Sequence, residues 1–299
     1  MKIKSWLEAF RLRTLPLSVS GIIMGSFIAK SKGFFWDSSI FIFALLTTIL
    51  FQIVSNLAND LGDSLKGTDN ENRVGPARTV QKGDITPSQM KKAVLFFSVL
   101  SLIAAGYLIS ISAPKMSVQT IYIYIILAFA SVIAAITYTV GKKAYGYYGL
   151  GDLFVFVFFG LVSVMGSYTL FSKVFDWSTV FPAVTIGLLS VAVLNLNNMR
   201  DQVNDKLSNK NTIVVTLGFN RAKFYHVGLI ICSLISMLIY FKLELIGLIY
   251  AIPFVILFIH LKKVVQVLDP KEFDPELKKV ALSTFFLSVF FAIISSIFS

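Results

Sequence analysis

The sequence predicts an all-α polytopic membrane protein, with nine transmembrane helices around a central cavity and a cytoplasmic N-terminus. Three observations carry that expectation. Apolar residues make up 56% of the 299-residue chain and charged residues only 14%, where soluble domains carry about 25% charged residues. The apolar residues gather in runs of roughly 17–25, the length that crosses the hydrocarbon core as a helix. Basic residues, finally, crowd into alternate connecting segments, as the positive-inside rule requires.

The first expected span, 15–29, follows a basic N-terminus. In Ser5–Arg13, Trp6, Leu7 and Phe10 share a face with Arg11 and Arg13 outside it, the pattern of a short surface helix. Spans 38–58, 93–112, 118–140 and 151–171 follow, then 178–198, 224–241, 244–261 and 280–298, each bounded by polar residues, Gly or Pro. With the N-terminus inside, 22 of the 27 Lys and Arg residues fall in cytoplasmic segments. An odd span count puts the C-terminus outside. No cleavable signal peptide is expected, and the single Cys232 excludes an intramolecular disulfide. In so apolar a chain the formal charge of +11 reflects topology and anionic lipid rather than nucleic acid.

Two cytoplasmic loops, 59–91 and 199–222, are longer and more polar than the rest. They open on related patterns, Asn56-x-x-x-Asp60 and Asn197-x-x-x-Asp201, separated by four spans. One domain, 1–299, built from a duplicated four-helix unit (spans 1–4 and 5–8) plus an extra helix, accounts for this. Such internal symmetry often frames a site.

The chemistry sits at those loop starts. Asn56, Asn59, Asp60 and Asp63 fall at i, i+3, i+4 and i+7, one face of a helix. Asn197, Asn198, Asp201 and Asp205 line another. Each cluster offers two carboxylates and amide oxygens, hard ligands suited to magnesium, which takes one or two carboxylates, waters and substrate phosphates. Asp60, Asp63, Asp201 and Asp205 are therefore the expected metal ligands and catalytic residues. Any one of them alone reads as a loop or cap residue. Four in two matched clusters, where a lipid-facing carboxylate costs about 2.5–3.5 kcal/mol, read as functional. His226 and His260 stand alone in or near apolar helices, and packing or interfacial roles are expected for them. Around the clusters lie Lys66, Arg73 and Arg78, then Lys206 and Lys210, with Lys142 and Lys143 in a short loop between. Carboxylates, a divalent ion and cations are the ingredients of a diphosphate site. The expected substrate contacts are Lys66, Arg73, Arg78, Lys142 and Lys210, with Asn56, Asn59, Asn197 and Asn198.

Asn59-Asp60-Leu61-Gly62-Asp63, Lys66-Gly67-Thr68-Asp69 and Arg73-Val74-Gly75-Pro76-Ala77-Arg78 together resemble the first signature of the UbiA superfamily of intramembrane prenyltransferases. Asn198-x-x-Asp201-x-x-x-Asp205-x-x-x-x-Lys210-Asn211-Thr212 resembles the second. Within the superfamily the runs K-G-T-D…R-V-G-P-A-R and N-D-K…K-N-T-x-V-V-x-L-G are most similar to the branch that prenylates 1,4-dihydroxy-2-naphthoate in menaquinone biosynthesis. Where the hydroxybenzoate branch has a third Asp, Gly67 stands here, and the next acid is Asp69. The resemblance implies magnesium-dependent transfer of a polyprenyl chain from its diphosphate to the naphthoate, with release of pyrophosphate and loss of CO₂, at the cytoplasmic face of the inner (plasma) membrane. It implies an aromatic wall for the allylic cation, for which Tyr138, Tyr145, Tyr147 and Tyr148 stand nearest, although an interfacial belt explains them too.

Other readings remain at this stage. A hydroxybenzoate- or homogentisate-like acceptor would use the same clusters. An ion-coupled transporter also uses intramembrane carboxylates and repeats, but no acid falls in mid-span. A CDP-alcohol phosphotransferase wants Gly after its second Asp, where Ser64 stands here.

Overall fold

The computed structural model describes residues 3–70, 74–242 and 248–298; Arg73 therefore lies outside the described residues. Among the described residues the regular structure is helical throughout: α1 (Ile3–Phe10), α2 (Leu15–Ser31), α3 (Ser38–Leu65), α4 (Pro87–Ser112), α5 (Val118–Thr137), α6 (Gly151–Ser172), α7 (Val180–Leu207), α8 (Ile213–Leu217), α9 (Phe219–Tyr240), α10 (Phe254–Gln266) and α11 (Phe273–Phe298). Eight described segments are long and apolar enough to cross a membrane, and the chain is a multi-pass membrane protein. The remaining expected span, 244–261, starts in 243–247, outside the described residues; its described part passes through turns into the 13-residue α10, which runs on to Gln266.

Local sequence sets several helix starts. Asp37 accepts the Ser39 amide to cap α3, Thr86 and Gln89 form a capping box on α4, and Ser117 accepts the Thr120 amide on α5. Each satisfies amides that a helix N-terminus leaves open. Both α3 and α7 have 28 residues, about 42 Å at the helical rise, against about 30 Å of hydrocarbon. Their last turns, which carry the two clusters, extend beyond the apolar zone as ordered helix.

Lipid gives no hydrophobic drive for helix association, so close contact through small residues has to supply it. A Cβ on Gly21 would stand 1.9 Å from Ser163 Oγ, and one on Gly25 would stand 2.0 Å from the Val164 carbonyl oxygen. This Gly-x-x-x-Gly face seats α2 directly on α6. Within α6 the helix changes to π-helix over Phe156–Val162, a form that clusters at functional sites.

The N-terminal strap differs from the expected amphipathic face. Trp6 and Phe10 pack with Ile53, Leu57 and Phe97, whereas Leu7 is exposed, because Ser5 and Ala9 form the buried line of α1. Arg11 takes a left-handed conformation (φ 50°), turning the chain from α1 into α2. Glu8 pairs with Lys82 at 3.0 Å.

The opposite end of the bundle is fastened by its own loops. Lys32 donates to Asp176 (2.5 Å) and Ser178 (2.8 Å), and Trp36 stacks on Phe171 at 5.0 Å. The two histidines, expected to stand alone, meet instead. His226 Nε2 faces His260 Nε2 at 2.8 Å, and His260 Nδ1 meets Glu276 at 2.5 Å. Three helices, α9, α10 and α11, bring them together from positions 34 and 16 residues apart.

Gly25→Ala should lower stability by about 1–3 kcal/mol, the usual cost of overpacking, read as a lower unfolding temperature in detergent. An unchanged temperature would mean that α2 and α6 can part without loss.

Candidate active site

The C-terminal turns of α3 and α7 face one another across a cavity of about 180 Å³. Because Asp residues at i+4 and i+8 lie on one helix face, the register already set by membrane packing turns part of each cluster inward. Asn59, Asp63, Asn197, Asp201 and Asp205 all line this cavity.

Asp63 and Asp205 come from different halves of the chain and share one cation. Lys210 Nζ lies 3.6 Å from Asp63 and 4.0 Å from Asp205. Burial pulls the Lys210 ammonium down, but the two carboxylates outweigh it and its pKa is raised. Tyr147 donates to Asp63 at 2.8 Å, and its hydroxyl also meets Thr68 at 2.5 Å. Burial first, and the Asp63 charge second, push the Tyr147 phenol well above its usual pKa. Lys66 lies over the same ring, 3.9 Å from its centroid. Burial lowers its pKa, Asp63 offsets part of this, and Lys210 adds to the lowering.

Asp201 is gripped from its own helix. Arg200 Nε and Nη2 donate to its two oxygens at 3.2 and 2.7 Å, the Gly75 amide adds a bond at 3.1 Å, and Nη2 also reaches Asn197 at 2.8 Å. A Cβ on Gly75 would stand 2.5 Å from Arg200 Nη2. The glycine of the Val-Gly-Pro run thus lets the first loop lie flat on the guanidinium of the second cluster.

The other expected residues are distributed unevenly. Asp60 is buried but lines neither cavity described here; it accepts from Thr79 at 2.7 Å. Asn56 fastens the strap, donating to the Phe10 carbonyl (2.9 Å) and to Thr14 (3.2 Å). Asn59 accepts from Thr139 at 3.3 Å. Arg78 lines the cavity, with Nε 3.8 Å from Asp69, itself a wall residue. Asn198 is buried away from the cavity, and Lys142 is exposed and lines neither space. Arg73 lies outside the described residues.

Sequence reasoning missed several polar wall residues, Arg11, Arg13, Arg200 and Asn204 among them. Arg11 and Arg13 reach the cavity from the strap, although they looked like topology charges. Arg200 sits inside the second cluster. Asn204 follows Asp201 by three positions, so helical spacing could have found it. It donates to the Thr68 carbonyl at 2.8 Å, while its buried Oδ1 has no hydrogen-bond partner.

Next to this polar cavity lies an apolar chamber of about 320 Å³. The two share Gln52, Asn59, Tyr138, Val155, Phe159 and Leu194. Phe51, Phe154, Phe158 and Tyr145 add aromatic faces, with Phe158 and Phe159 supplied by the π-helical stretch of α6. Of the expected aromatics, Tyr138 and Tyr145 line the chamber, Tyr147 serves Asp63, and Tyr148 is exposed. The arrangement suits an amphiphile with a polyanionic head and an apolar tail.

A magnesium ion fits the donor set. Among the described residues no three His, Cys, Asp or Glu side chains form a ready-made metal cage. Magnesium does not require one, since one or two carboxylates and substrate phosphates suffice. Asp63 and Asp205 already share a cation, and the bare Asn204 oxygen adds a hard ligand.

Residues 18–293 match the UbiA prenyltransferase family. A 1,4-dihydroxy-2-naphthoate octaprenyltransferase of Escherichia coli is 39% identical over 98% of this chain and 95% of its own length. One from Haemophilus influenzae is 42% identical over 79% of this chain and 74% of its own. A UbiA homolog from Archaeoglobus fulgidus, solved with DMAPP and Mg²⁺, superposes with a TM-score of 0.69 at 13% identity, covering 98% of this chain and 99% of that one; this likeness shows the fold.

Lys210→Met should remove the cation that Asp63 and Asp205 share. Breaking a buried pair costs about 3–5 kcal/mol, and with contacts this long the lower end is expected. Thermal unfolding in metal-free detergent measures it, and a variant as stable as wild type would mean that Lys210 does not hold the clusters together.

Proposed function

The chain belongs to the UbiA prenyltransferase family, and from that premise we propose that it transfers a polyprenyl chain from its diphosphate to 1,4-dihydroxy-2-naphthoate, with loss of CO₂, in menaquinone biosynthesis. The observation that carries this reading is the junction of a polar cavity, lined by facing carboxylates and cations, with an aromatic-walled apolar chamber. The relatives named for the naphthoate reaction support the acceptor.

In this reading the diphosphate lies between the helix ends, with Lys210, Lys66 and Arg78 near its oxygens. Asp63 and Asp205 would hold magnesium, with Asn59, Asn204 and Asp201 as further oxygen donors. When bound there, magnesium supplies Lewis-acid stabilisation of the departing pyrophosphate, worth several kcal/mol. Asp60 acts one step back, tying the loop at Thr79 to α3. The first prenyl units lie against Phe158, Phe159, Tyr145 and Tyr138, where aromatic faces favour an allylic cation by about 0.5–2 kcal/mol each. The C–O bond breaks with its electron pair leaving on pyrophosphate. The ring carbon bearing the carboxylate attacks the cation, and the C–C bond to the carboxylate then breaks, releasing CO₂ and returning its electrons to the ring.

The seam between α5 and α6, bridged by Tyr124 donating to the Gly166 carbonyl at 2.7 Å, is the way in for the tail. The basic bias of the loops supports a cytoplasmic active site in the inner (plasma) membrane. We read the chain as one domain, 1–299, with the two clusters as descendants of a duplicated unit.

Product mass tests the reaction. Protein given magnesium, a prenyl diphosphate and dihydroxynaphthoate should yield the prenylated acceptor lighter by one CO₂ than simple transfer predicts; a product that retains the carboxyl group would overturn the acceptor chemistry. Asp63→Ala and Asp205→Ala should each reduce kcat at least about 1,000-fold, roughly 4 kcal/mol. Asp60→Ala, off the cavity wall, should cost less. Equal losses at Asp60 and Asp63 would place Asp60 among the ligands after all.

A further inference from the structure

Gln52 lies on α3 one turn before Asn56, and it lines both the polar cavity and the apolar chamber. The hydrogen bonds around it fix which way its amide points. Asn56 meets the Phe10 carbonyl at 2.9 Å. A carbonyl oxygen carries no proton, so the Asn56 atom facing it is Nδ2. The same nitrogen meets Thr14 Oγ1 at 3.2 Å, and the Thr14 hydroxyl already donates to the Arg11 carbonyl at 2.9 Å. Asn56 therefore presents Oδ1 to Gln52, which answers with Nε2 at 3.1 Å. That leaves Gln52 Oε1 as the free end. It meets no donor among the described residues and is not sealed in. The strap that starts this relay is itself pinned. Glu8 pairs with Lys82, and Arg13 lies 4.0 Å from Asp274, which accepts from Arg200 at 2.6 Å.

We propose that Gln52 is a specificity-determining contact for the aromatic acceptor, its Oε1 accepting a hydrogen bond from the ring hydroxyl farther from the carboxylate. The inference rests on the acceptor reading given above. The diphosphate head belongs in the polar cavity and the prenyl tail in the chamber, so the bond that breaks lies where the two spaces meet. The acceptor ring has to reach that place to attack. Neither part of the prenyl donor can satisfy a carbonyl oxygen there. The tail has no polar hydrogen, and ionised phosphate oxygens only accept. A dihydroxynaphthoate brings two O–H donors. Its 1-hydroxyl stands beside the carboxylate and is held by it in an internal hydrogen bond, so the 4-hydroxyl is the one left to donate. The contact fixes the rotation of the ring, and no proton is transferred, because an amide oxygen is too weak a base to take it. A site built on a hydroxyl contact discriminates against an analogue that lacks the hydroxyl, since its own polar atom is then left unpaired.

The experiment is steady-state kinetics of the full-length protein in detergent, with magnesium and a prenyl diphosphate. The varied acceptor is 1,4-dihydroxy-2-naphthoate, and 1-hydroxy-2-naphthoate, which lacks the 4-hydroxyl, is the competitive inhibitor. Gln52→Leu should lower kcat/KM for the dihydroxy acceptor about tenfold, as expected when a buried hydroxyl loses its acceptor. The Ki of the monohydroxy compound should stay the same or fall. Gln52→Met, of the same length, should behave alike. Undiminished kcat/KM in both variants would overturn the proposal, and so would a Ki that rises in step with the loss of kcat/KM. Complete loss of turnover in both variants would also overturn it, because one hydrogen bond cannot account for that. A wild type that makes no product from dihydroxynaphthoate would overturn the acceptor reading and the Gln52 role with it. A wild type that does, beside variants that match it, would remove the Gln52 role alone.

Discussion

Carboxylates cannot crowd into a poorly hydrated gap between helices unless cations or hydrogen-bond donors stand among them. Most of the polar end of this protein answers that constraint. Lys210 stands between Asp63 and Asp205, Arg200 lies along Asp201, and Thr79 covers Asp60. Lys210 and Thr79 come from the loops, so the clusters tie the loops down as firmly as the loops shape the clusters. Gly75 shows how tightly: the loop backbone rests on the guanidinium where any side chain would collide.

A second tension is resolved along the bundle axis. The substrate class proposed has one end that needs water-like surroundings and one that needs lipid-like ones. Helices longer than the hydrocarbon core supply both from a single rigid element, apolar in their first turns and carboxylate-bearing in their last. The six residues common to cavity and chamber mark the boundary between the two. The π-helical turn of α6 lies on this boundary and presents Phe158 and Phe159 together.

Much of this was legible in the chain before any coordinates. Spans could be read because lipid demands long apolar runs. Asp63, Asp201 and Asp205 could be read because a carboxylate at a helix end has few structural reasons to recur in matched pairs. What escaped were partnerships between distant segments. Nothing in the spacing of Asn56 says that its amide will fasten the strap while the residue lines the apolar chamber, and nothing around Asp274 predicts a bond to an arginine 74 positions earlier. The meeting of His226 and His260 is of the same kind. Two isolated histidines carry no signal until three helices bring them together. Lys142, in the short loop between spans four and five, is exposed and lines neither space, which its position in the sequence does not reveal.

The bond between Asp274 and Arg200 also bears on the order of synthesis. A membrane chain is made from its N-terminus, so both signatures leave the ribosome well before the first turn of α11. Until that turn arrives, Arg200 lacks its outer carboxylate, and Leu277, which lines the cavity, is missing from the wall. A nascent chain that stops before α11 holds both signatures without the Asp274 contact to Arg200. A segment made after both signatures thus closes the wall that they share, and the pocket is whole only once Asp274 and Leu277 are in place.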